Sequence, residues 1–429
     1  MARRRAIAPL KQAVNQFLGG KQIAAVRSLG EARLALAHSD DYPSDVLWAE
    51  SLYLEFSRRL LDADDTTLTV AIRELYETGS SVPAGARVVA SIERVGEPRP
   101  VKVEFPIEQL PSDISMPLAG LGEGDFALSV VIDDKNGRLA SAAYRFSLVK
   151  NLSARLAAAA AALDFSKDAR SIDRESIIAL VKLLTGLAGG DVLETEYPAA
   201  RLMSEIEQAI ATTKTGETFY NSARAGEFWL RVPIGDQSWP VRIFVPPAAE
   251  ADGASPLVVA LHGAGGSENL FFDGYGEGAI KNECQHRGWI VVSPRTEGFG
   301  LLPVEQLVEA LGKNYAIDRE HVYLIGHSMG ALQATAAAQA RPDFYTAVAA
   351  LGGGGVVKPS DAIKLLPYYV AAGREDFALA GVERLVSNLR KAGVEKVVFR
   401  EYPDVEHLLI VQESLPEVFQ FFDEAANAK

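Results

Sequence analysis

A serine flanked by glycines is the group of residues in this chain with the clearest potential for chemistry. Ser328 lies in Gly326-His327-Ser328-Met329-Gly330, after the apolar run 322–325 and before the alanine-rich stretch 331–340. A strand, a sharp turn and a helix in that order expose a serine hydroxyl at the edge of a sheet, where it can act as a nucleophile. The flanking glycines let the strand and the helix pass close together. The N–H of Met329 would lie at a helix N-terminus, where it can stabilise an anion.

A glycine-rich segment upstream of Ser328 has the composition of an oxyanion loop. His262-Gly263-Ala264-Gly265-Gly266 follows the apolar run 257–261, which is typical of a buried strand. Glycines here let backbone N–H groups turn toward a site. We therefore expect Ala264 N–H to be one oxyanion donor, with Gly263 N–H as the near alternative, and Met329 N–H to be the second.

An acid and a histidine follow Ser328 in the order that a Ser-Asp-His triad requires in such a sheet. Asp376 comes after the strand-like run 368–372, and its neighbour Glu375 is a rival for the same role. His407 is the only histidine beyond Asp376 in the sequence, and it follows the last strand-like run, 397–402. The sequence therefore predicts that Ser328, His407 and Asp376 act as nucleophile, base and orienting acid in acyl transfer.

Several side chains near these loops are candidates for substrate contact. Three aromatic residues just past the oxyanion loop fit the wall of an acyl pocket, and they fit core packing equally well: Phe271, Phe272 and Tyr275. His262 and His327 are also candidates, although their positions favour shaping of the oxyanion turn and packing, respectively. Arg295 and Glu297 follow a strand end, where they can either contact a polar substrate or be ordinary loop charges.

Composition excludes several classes of function. The chain has 429 residues, 48% of them hydrophobic, and a formal net charge of −13, which argues against nucleic-acid and anionic-membrane partners. No run approaches the length of a membrane span. The single cysteine, Cys284, excludes an intramolecular disulfide, and no histidine pair has the helical spacing of a zinc site, so we expect no metal site. A homo-oligomer is compatible with the sequence.

The start of the chain bears on its location. No apolar run of signal-peptide length follows Arg3-Arg4-Arg5. We therefore expect a cytoplasmic protein, or a secreted or periplasmic one if an export signal precedes this sequence.

Hydrophobic periodicity predicts four regions along the chain. Residues 1–77 have helical spacing, and residues 78–150 contain short strand-like runs at 88–92, 101–105, 126–132 and 142–148, the last two flanking an Asn-Gly hairpin signal. This second region is expected to be a small β-sandwich. Residues 151–222 are predicted to be a helical connector. Strands and helices then alternate through 223–429, which predicts an α/β domain with a mostly parallel sheet flanked by helices.

These motifs resemble those of one group of α/β-hydrolases. The segment 261–266, the segment 314–330 and Gly373-x-x-Asp376 are similar to polyhydroxybutyrate-depolymerase and feruloyl-esterase-like carboxylesterases, which share them with prolyl-oligopeptidase-type domains. The resemblance covers roughly residues 225–429 and implies an esterase with a Ser-Asp-His triad and no cofactor. In similar carboxylesterases an immunoglobulin-like domain precedes the catalytic domain, and the sandwich of residues 78–150 is expected to be of that kind.

The sequence is compatible with three functions. The leading expectation is hydrolysis of small or aryl carboxylic esters. The segment before the strand of Asp376 is too short for a large cap, so we expect the pocket to be either open or covered by another part of the chain, such as the N-terminal region. A serine peptidase is the first alternative, since the same triad cleaves amides. A non-catalytic interaction protein built on a hydrolase fold is the second.

Overall fold

The computed structural model describes residues 2–38, 42–163, 170–250, 253–296 and 302–427. The chain divides into two compact units, which are described separately. The first comprises residues 1–168 and 177–211, and the second comprises 169–176 and 212–429. The first unit begins with helices α1 (Ala2–Leu18), α2 (Gln22–Ala37) and α3 (Ser44–Glu50). In the described chain no helix is long and apolar enough to cross a membrane.

Two β-sheets that share one hydrophobic cluster follow these helices. The first sheet contains the antiparallel strands β1 (Leu52–Phe56), β3 (Thr67–Glu74) and β6 (Ser112–Pro117), in the order β1-β3-β6. The second has the order β2-β8-β7-β4-β5 and is formed by β2 (Leu60–Asp62), β4 (Arg87–Arg94), β5 (Glu97–Pro106), β7 (Gly124–Asp134) and β8 (Gly137–Val149). The four predicted strands are confirmed as β4, β5, β7 and β8.

The helical prediction for residues 1–77 is wrong beyond residue 51. Residues 52–74 form β1, β2 and β3 instead. Leu52, Leu54 and Phe56 are buried while the residues between them are more exposed, which is the two-residue period of a half-buried strand. The predicted hairpin at Asn136 joins β7 to β8, and Asp134 Oδ1 accepts from Asn136 N–H and Gly137 N–H at 2.7 and 3.0 Å.

Three helices follow the second sheet, as the pattern of residues 151–222 predicts. They are α4 (Leu152–Leu163), α5 (Ile172–Gly189) and α6 (Ala199–Lys214). The carboxylate of Asp125 accepts from the N–H groups of Ala200 and Arg201 at 2.9 and 3.1 Å. A carboxylate at this end satisfies orphan backbone donors and complements the helix dipole, so it fixes the start of α6.

A mixed sheet forms the centre of the second unit. Among the described residues its strand order is β16-β15-β14-β13-β11-β12-β10-β9. The strands are β9 (Gly226–Ile234), β10 (Gln237–Val245), β11 (Ser255–Leu261), β12 (Ile290–Pro294), β13 (Ile317–His327), β14 (Ala347–Leu351), β15 (Tyr368–Gly373) and β16 (Val397–Tyr402). The pairs β9–β10 and β10–β12 are antiparallel, and the strands from β11 to β16 run parallel. The mostly parallel sheet expected for residues 223–429 is therefore present.

Helices cover this sheet and complete its core. They are α7 (Ala279–Arg287), α8 (Val304–Leu311), α9 (Met329–Ala340), α10 (Asp361–Leu365), α11 (Leu379–Lys391) and α12 (Ile410–Ala426). The Tyr323 ring stacks on Trp289 at 4.8 Å and on Phe422 of α12 at 4.7 Å. Cys284 of α7 is fully buried in the same cluster. The core thus anchors α12 against the strand that leads to Ser328.

Candidate active site

Ser328 occupies a strained turn between β13 and α9. Its φ of 54° and ψ of −114° lie in a region that L-residues seldom adopt, and such strain is common at functional sites. The glycines around it are needed for close approach. A Cβ on Gly326 would lie 2.1 Å from the Gly330 carbonyl oxygen, and one on Gly330 would lie 2.0 Å from the Leu261 oxygen. The spacing of the two glycines is therefore explained by how tightly β13, α9 and β11 meet.

A hydrogen-bonded chain joins Ser328, His407 and Asp376. His407 Nε2 lies 2.9 Å from Ser328 Oγ, and His407 Nδ1 lies 2.8 Å from Asp376 Oδ1. A carboxylate only accepts, so Nδ1–H donates to Asp376 and Nε2 is left to accept from the serine hydroxyl. Asp376 and His407 are 5% and 6% exposed, which keeps water from competing for these bonds. The carboxylate at His407 belongs to Asp376 and not to its neighbour Glu375.

The glycine-rich loop after β11 forms a type II turn beside Ser328. Gly266 N–H donates to Gly263 O at 3.1 Å, and Gly265 has the positive φ, 76°, that the third position of this turn requires. A Cβ on Gly263 would lie 3.3 Å from Ser328 Cβ, so the backbone itself approaches the serine. Within the described residues, the N–H groups of Ala264 and Met329 donate to no protein acceptor. Both are free to bind an anion.

His262 holds this turn in shape. Thr296 N–H donates to His262 Nε2 at 3.0 Å, which leaves Nδ1 as the protonated nitrogen, and it donates to Gly263 O at 2.8 Å. Burial lowers the pKa of His262, so the ring stays neutral and keeps this tautomer. Its side chain is 0% exposed, which matches the turn-shaping role and leaves no surface for a substrate.

A second buried histidine holds the loop that carries His407. His327 Nε2 lies 2.9 Å from the His407 carbonyl oxygen, so this nitrogen must donate. Its Nδ1 then accepts from the Tyr275 hydroxyl at 2.6 Å. Burial lowers the pKa of His327 to about 3, so the ring is neutral at ordinary pH. The residue before Ser328 thus ties the turn of the serine to the backbone of the histidine.

The aromatic residues beyond the oxyanion loop belong to the core. Phe271, Phe272 and Tyr275 are 0%, 1% and 4% exposed and lie in the same cluster as the strand residues. Of the two interpretations that the sequence allowed, core packing fits these positions and a pocket wall does not. The same correction applies to His262 and His327, whose ring nitrogens bond protein atoms. These side chains are buried by the sheet and its helices, and local sequence does not reveal that burial.

Phe377, which the sequence reasoning missed, lies against His407 on the solvent side. Its ring centroid is 4.3 Å from that of His407, and the side chain is 56% exposed. The available signal was its place directly after the acid in Gly373-Arg374-Glu375-Asp376-Phe377.

Glu406 is a buried carboxylate directly before His407. It is 0% exposed, and its Oε1 accepts from Leu408 N–H and Leu409 N–H at 2.9 and 3.0 Å, at the start of α12. Burial raises the pKa of Glu406, and the nearby charge of Asp376 adds to the rise. Among the described residues, Glu406 Oε2 and Asp376 Oδ2 have no hydrogen-bond partner.

The charged pair that the sequence placed after β12 is only partly described. Arg295 Nε donates to Glu268, a 6% exposed carboxylate, at 2.5 Å, so this arginine is held by the protein. Glu297 lies outside the described residues. In the part of the chain that the structure covers, no cluster of three or more His, Cys, Asp or Glu side chains could hold a metal ion.

Comparison with known proteins gives three kinds of likeness. Residues 257–424 match the model of the family described as the alpha/beta hydrolase family. Poly(3-hydroxyalkanoate) depolymerase C of Paucimonas lemoignei is 32% identical over 118 residues, which cover 23% of this chain. This chain spans 28% of the length of that relative.

The solved structures similar to this chain include a ferulic acid esterase, an S-formylglutathione hydrolase and Est1E. A ferulic acid esterase has 17% identity and a TM-score of 0.41, covering 47% of this chain and 98% of its own. An S-formylglutathione hydrolase from Agrobacterium tumefaciens has 17% identity and a TM-score of 0.38, covering 47% and 94%. Est1E from Butyrivibrio proteoclasticus has 16% identity and a TM-score of 0.37, covering 48% and 100%.

Proposed function

The C-terminal part of this chain has an α/β-hydrolase fold, and on that premise we propose that the protein is a serine carboxylic ester hydrolase. The observation that carries the proposal is the continuous contact from Ser328 Oγ through His407 to Asp376, at 2.9 and 2.8 Å. A serine at this distance from a correctly protonated imidazole is activated as a nucleophile. The strained, partly exposed position of Ser328 supports the same role.

The proposed reaction has two halves. Ser328 Oγ attacks the ester carbonyl carbon while its proton passes to His407 Nε2, and Asp376 stabilises the imidazolium that forms. The tetrahedral intermediate collapses as its bond to the alcohol oxygen breaks, and His407 returns the proton to that oxygen. Water then attacks the acyl-serine with His407 as base, which releases the carboxylic acid and restores Ser328.

The N–H groups of Ala264 and Met329 are proposed to bind the oxyanion. Both lack a protein acceptor among the described residues, and Met329 begins α9, where the helix dipole favours negative charge. Gly263 N–H is the near alternative, because the backbone of Gly263 also approaches Ser328.

A proline substitution tests the Ala264 donor directly. Ala264 is the second residue of the type II turn 263–266, a position that proline favours, so Ala264→Pro removes the N–H and keeps the turn. We expect kcat to fall about 100- to 1000-fold with unchanged thermal stability. An Ala264→Ser variant keeps the N–H and is the control. Full activity of Ala264→Pro would mean that the oxyanion donor is Gly263 N–H and not Ala264 N–H.

The substrates are proposed to be small or aryl esters. The segment between β14 and β15 contains only the short helix α10, and no large cap is inserted there. Ser328 is partly exposed and Ala264 is exposed, so the scissile bond can be reached from solvent.

Turnover of model esters tests the whole proposal. We would measure p-nitrophenyl esters from acetate to palmitate, methyl ferulate and an aminoacyl p-nitroanilide, with Ser328→Ala as the blank. Removing a triad residue is expected to lower kcat by about 10⁴-fold or more. Turnover that peaks at short acyl chains supports the esterase, and turnover of the anilide alone would assign a peptidase. A folded Ser328→Ala variant with wild-type turnover would refute the assignment.

The sandwich of the first unit is proposed to be immunoglobulin-like. Its sheet orders, β1-β3-β6 and β2-β8-β7-β4-β5, with β2 parallel to β8, support this, because they match the two-sheet arrangement of that fold. An experimental structure of the full chain with another strand order would contradict it. We likewise propose residues 223–429 as the catalytic domain.

A further inference from the structure

The His407 ring has a buried ring and an exposed ring as its neighbours. The buried ring is that of His327, with ring centroids 4.7 Å apart, and the exposed ring is that of Phe377, at 4.3 Å. His327 is 2% exposed and has both nitrogens bonded, so its place is explained by packing and hydrogen bonding. Phe377 has more than half of its surface in water, so its place beside the imidazole is not explained by the core.

A second exposed apolar residue adjoins His407 in the chain. Leu408 directly follows His407 in the chain and is 38% exposed. Phe377 directly follows Asp376, so both apolar residues are attached to the two loops that hold the acid and the base. A hydrophobic side chain left in water against a reacting group, as Phe377 is, offers a surface that a ligand can cover with a gain in free energy.

The direction of proton transfer tells which half of an ester would cover this surface. His407 Nε2 must reach both Ser328 Oγ and the oxygen of the departing alcohol, since it carries the proton from one to the other. The alcohol group therefore lies beside the imidazole. The carbonyl oxygen faces the N–H groups of Ala264 and Met329 instead. The carbonyl carbon, which bears the acyl chain, is therefore held beside the oxyanion turn.

We propose that Phe377, with Leu408, forms the binding surface for a hydrophobic alcohol group that carries a ring. This inference rests on the proposed esterase function and adds a preference for one half of the substrate. When the carbon–oxygen bond breaks and His407 protonates the alcohol oxygen, the ring of the leaving alcohol lies against Phe377. Such a contact in the transition state raises kcat/KM for esters of aromatic alcohols over those of small alkyl alcohols.

Two esters with the same acyl group isolate this contact. We would compare kcat/KM for benzyl butyrate and ethyl butyrate, whose leaving groups are both alkoxides, in the full-length wild type, Phe377→Ala and Phe377→Leu. Loss of an aromatic–aromatic contact is expected to lower the benzyl-to-ethyl ratio about 3- to 10-fold in Phe377→Ala. Phe377→Leu should retain part of the ratio. Benzyl acetate provides a second pair, in which only the acyl chain changes.

Leu365 offers a matched control on an exposed apolar side chain. It is 70% exposed and is the last residue of α10. It precedes the amino end of β15, whereas the triad lies at the carboxyl ends of the strands. Leu365→Ala should leave the benzyl-to-ethyl ratio at the wild-type value. A ratio that fell equally in Leu365→Ala would overturn the proposal, since the effect would then be general.

Three other results would also overturn it. One is an equal fall for both alcohols together with a displaced pH profile, which would mean that Phe377 acts on the imidazole. Another is a change confined to the benzyl acetate-to-butyrate ratio, which would place the ring on the acyl side. The third is an unchanged ratio in an active Phe377→Ala. If wild type and Ser328→Ala are equally inactive on all three esters, the esterase function itself fails and this inference falls with it.

Discussion

The backbone of Ser328 is strained, and its relief can be measured by comparing two inactive variants. Ser328→Ala and Ser328→Gly both lose the hydroxyl, but only glycine adopts φ 54° and ψ −114° without a steric cost. A non-glycine residue held in such a region costs about 1–3 kcal/mol. Glycine has a larger entropy loss on folding, about 0.5–1 kcal/mol relative to alanine. We therefore expect the glycine variant to be more stable than the alanine variant by about 0.5–2 kcal/mol.

The same pair of substitutions at Ser387 is the matched control. Ser387 is an exposed residue in the interior of α11, so its backbone is helical and its side chain is in water. There glycine should be less stable than alanine by about 1 kcal/mol. The glycine variant is thus expected to be the more stable of the two at Ser328 and the less stable at Ser387. No general property of glycine explains such a reversal.

Thermal unfolding measures both pairs. For a domain of this size, 1 kcal/mol shifts Tm by about 2–4 °C, so Ser328→Gly should melt a few degrees above Ser328→Ala. Guanidinium unfolding followed by tryptophan fluorescence gives an independent free energy of unfolding. If Ser328→Ala is as stable as Ser328→Gly, or more stable, the turn at Ser328 stores no strain.

Three further variants test the surroundings of the triad. His327→Phe removes the donor to the His407 carbonyl and is expected to lower kcat about 10- to 100-fold by displacing the imidazole. Because the pKa of His327 is about 3, the shape of the pH profile between about pH 5 and 9 should stay unchanged. A kcat within twofold of wild type would contradict the role of His327 in positioning His407. Gly352→Ala would bring a Cβ to 2.9 Å from Asp376 Oδ2 at a φ of 54°, so kcat and the rate at which a fluorophosphonate labels Ser328 should fall together. An unchanged kcat would show that the loop gives way. Burial raises the pKa of Glu406, so its contribution to stability is present below the ordinary value of 4.5 and is lost as pH rises through the folded-state pKa. The Tm of Glu406→Gln minus that of wild type should therefore be larger at pH 8 than at pH 4. An equal Tm difference at the two pH values would contradict this prediction.

The C-terminal fold could be predicted because its strands are buried on both faces. Runs such as 257–261 and 347–351 are apolar throughout, and the structure buries nearly every residue in them. The region 52–74 was mispredicted because its leucines fit a helical period as well as an alternating one. β1 and β3 pair with each other, and β3 also pairs with β6, whose partner residues lie 40 to 50 positions later in the chain. Such non-local pairing selects the strand over the helix here, and it cannot be detected from a short stretch of sequence.

The residues of the site that could be predicted are those that chain order and glycine spacing identify. Ser328, Asp376 and His407 were identified from motifs at the ends of successive strands, and the structure brings their side chains within hydrogen-bonding distance. The surrounding residues could not be identified in this way, because their roles depend on burial. Tyr275 resembled a pocket residue in sequence, yet the sheet and α12 enclose it, and its hydroxyl bonds His327.

Cys284 gives this molecule a natural reporter of its own opening. It is the only cysteine in the chain, it is fully buried in α7, and burial raises its pKa well above the ordinary value, so a thiol reagent cannot react with the native core. Modification by a chromogenic disulfide must therefore wait until α7 separates from its neighbours. The labelling rate, compared with that of the unfolded chain, measures the free energy of that opening in water without denaturant.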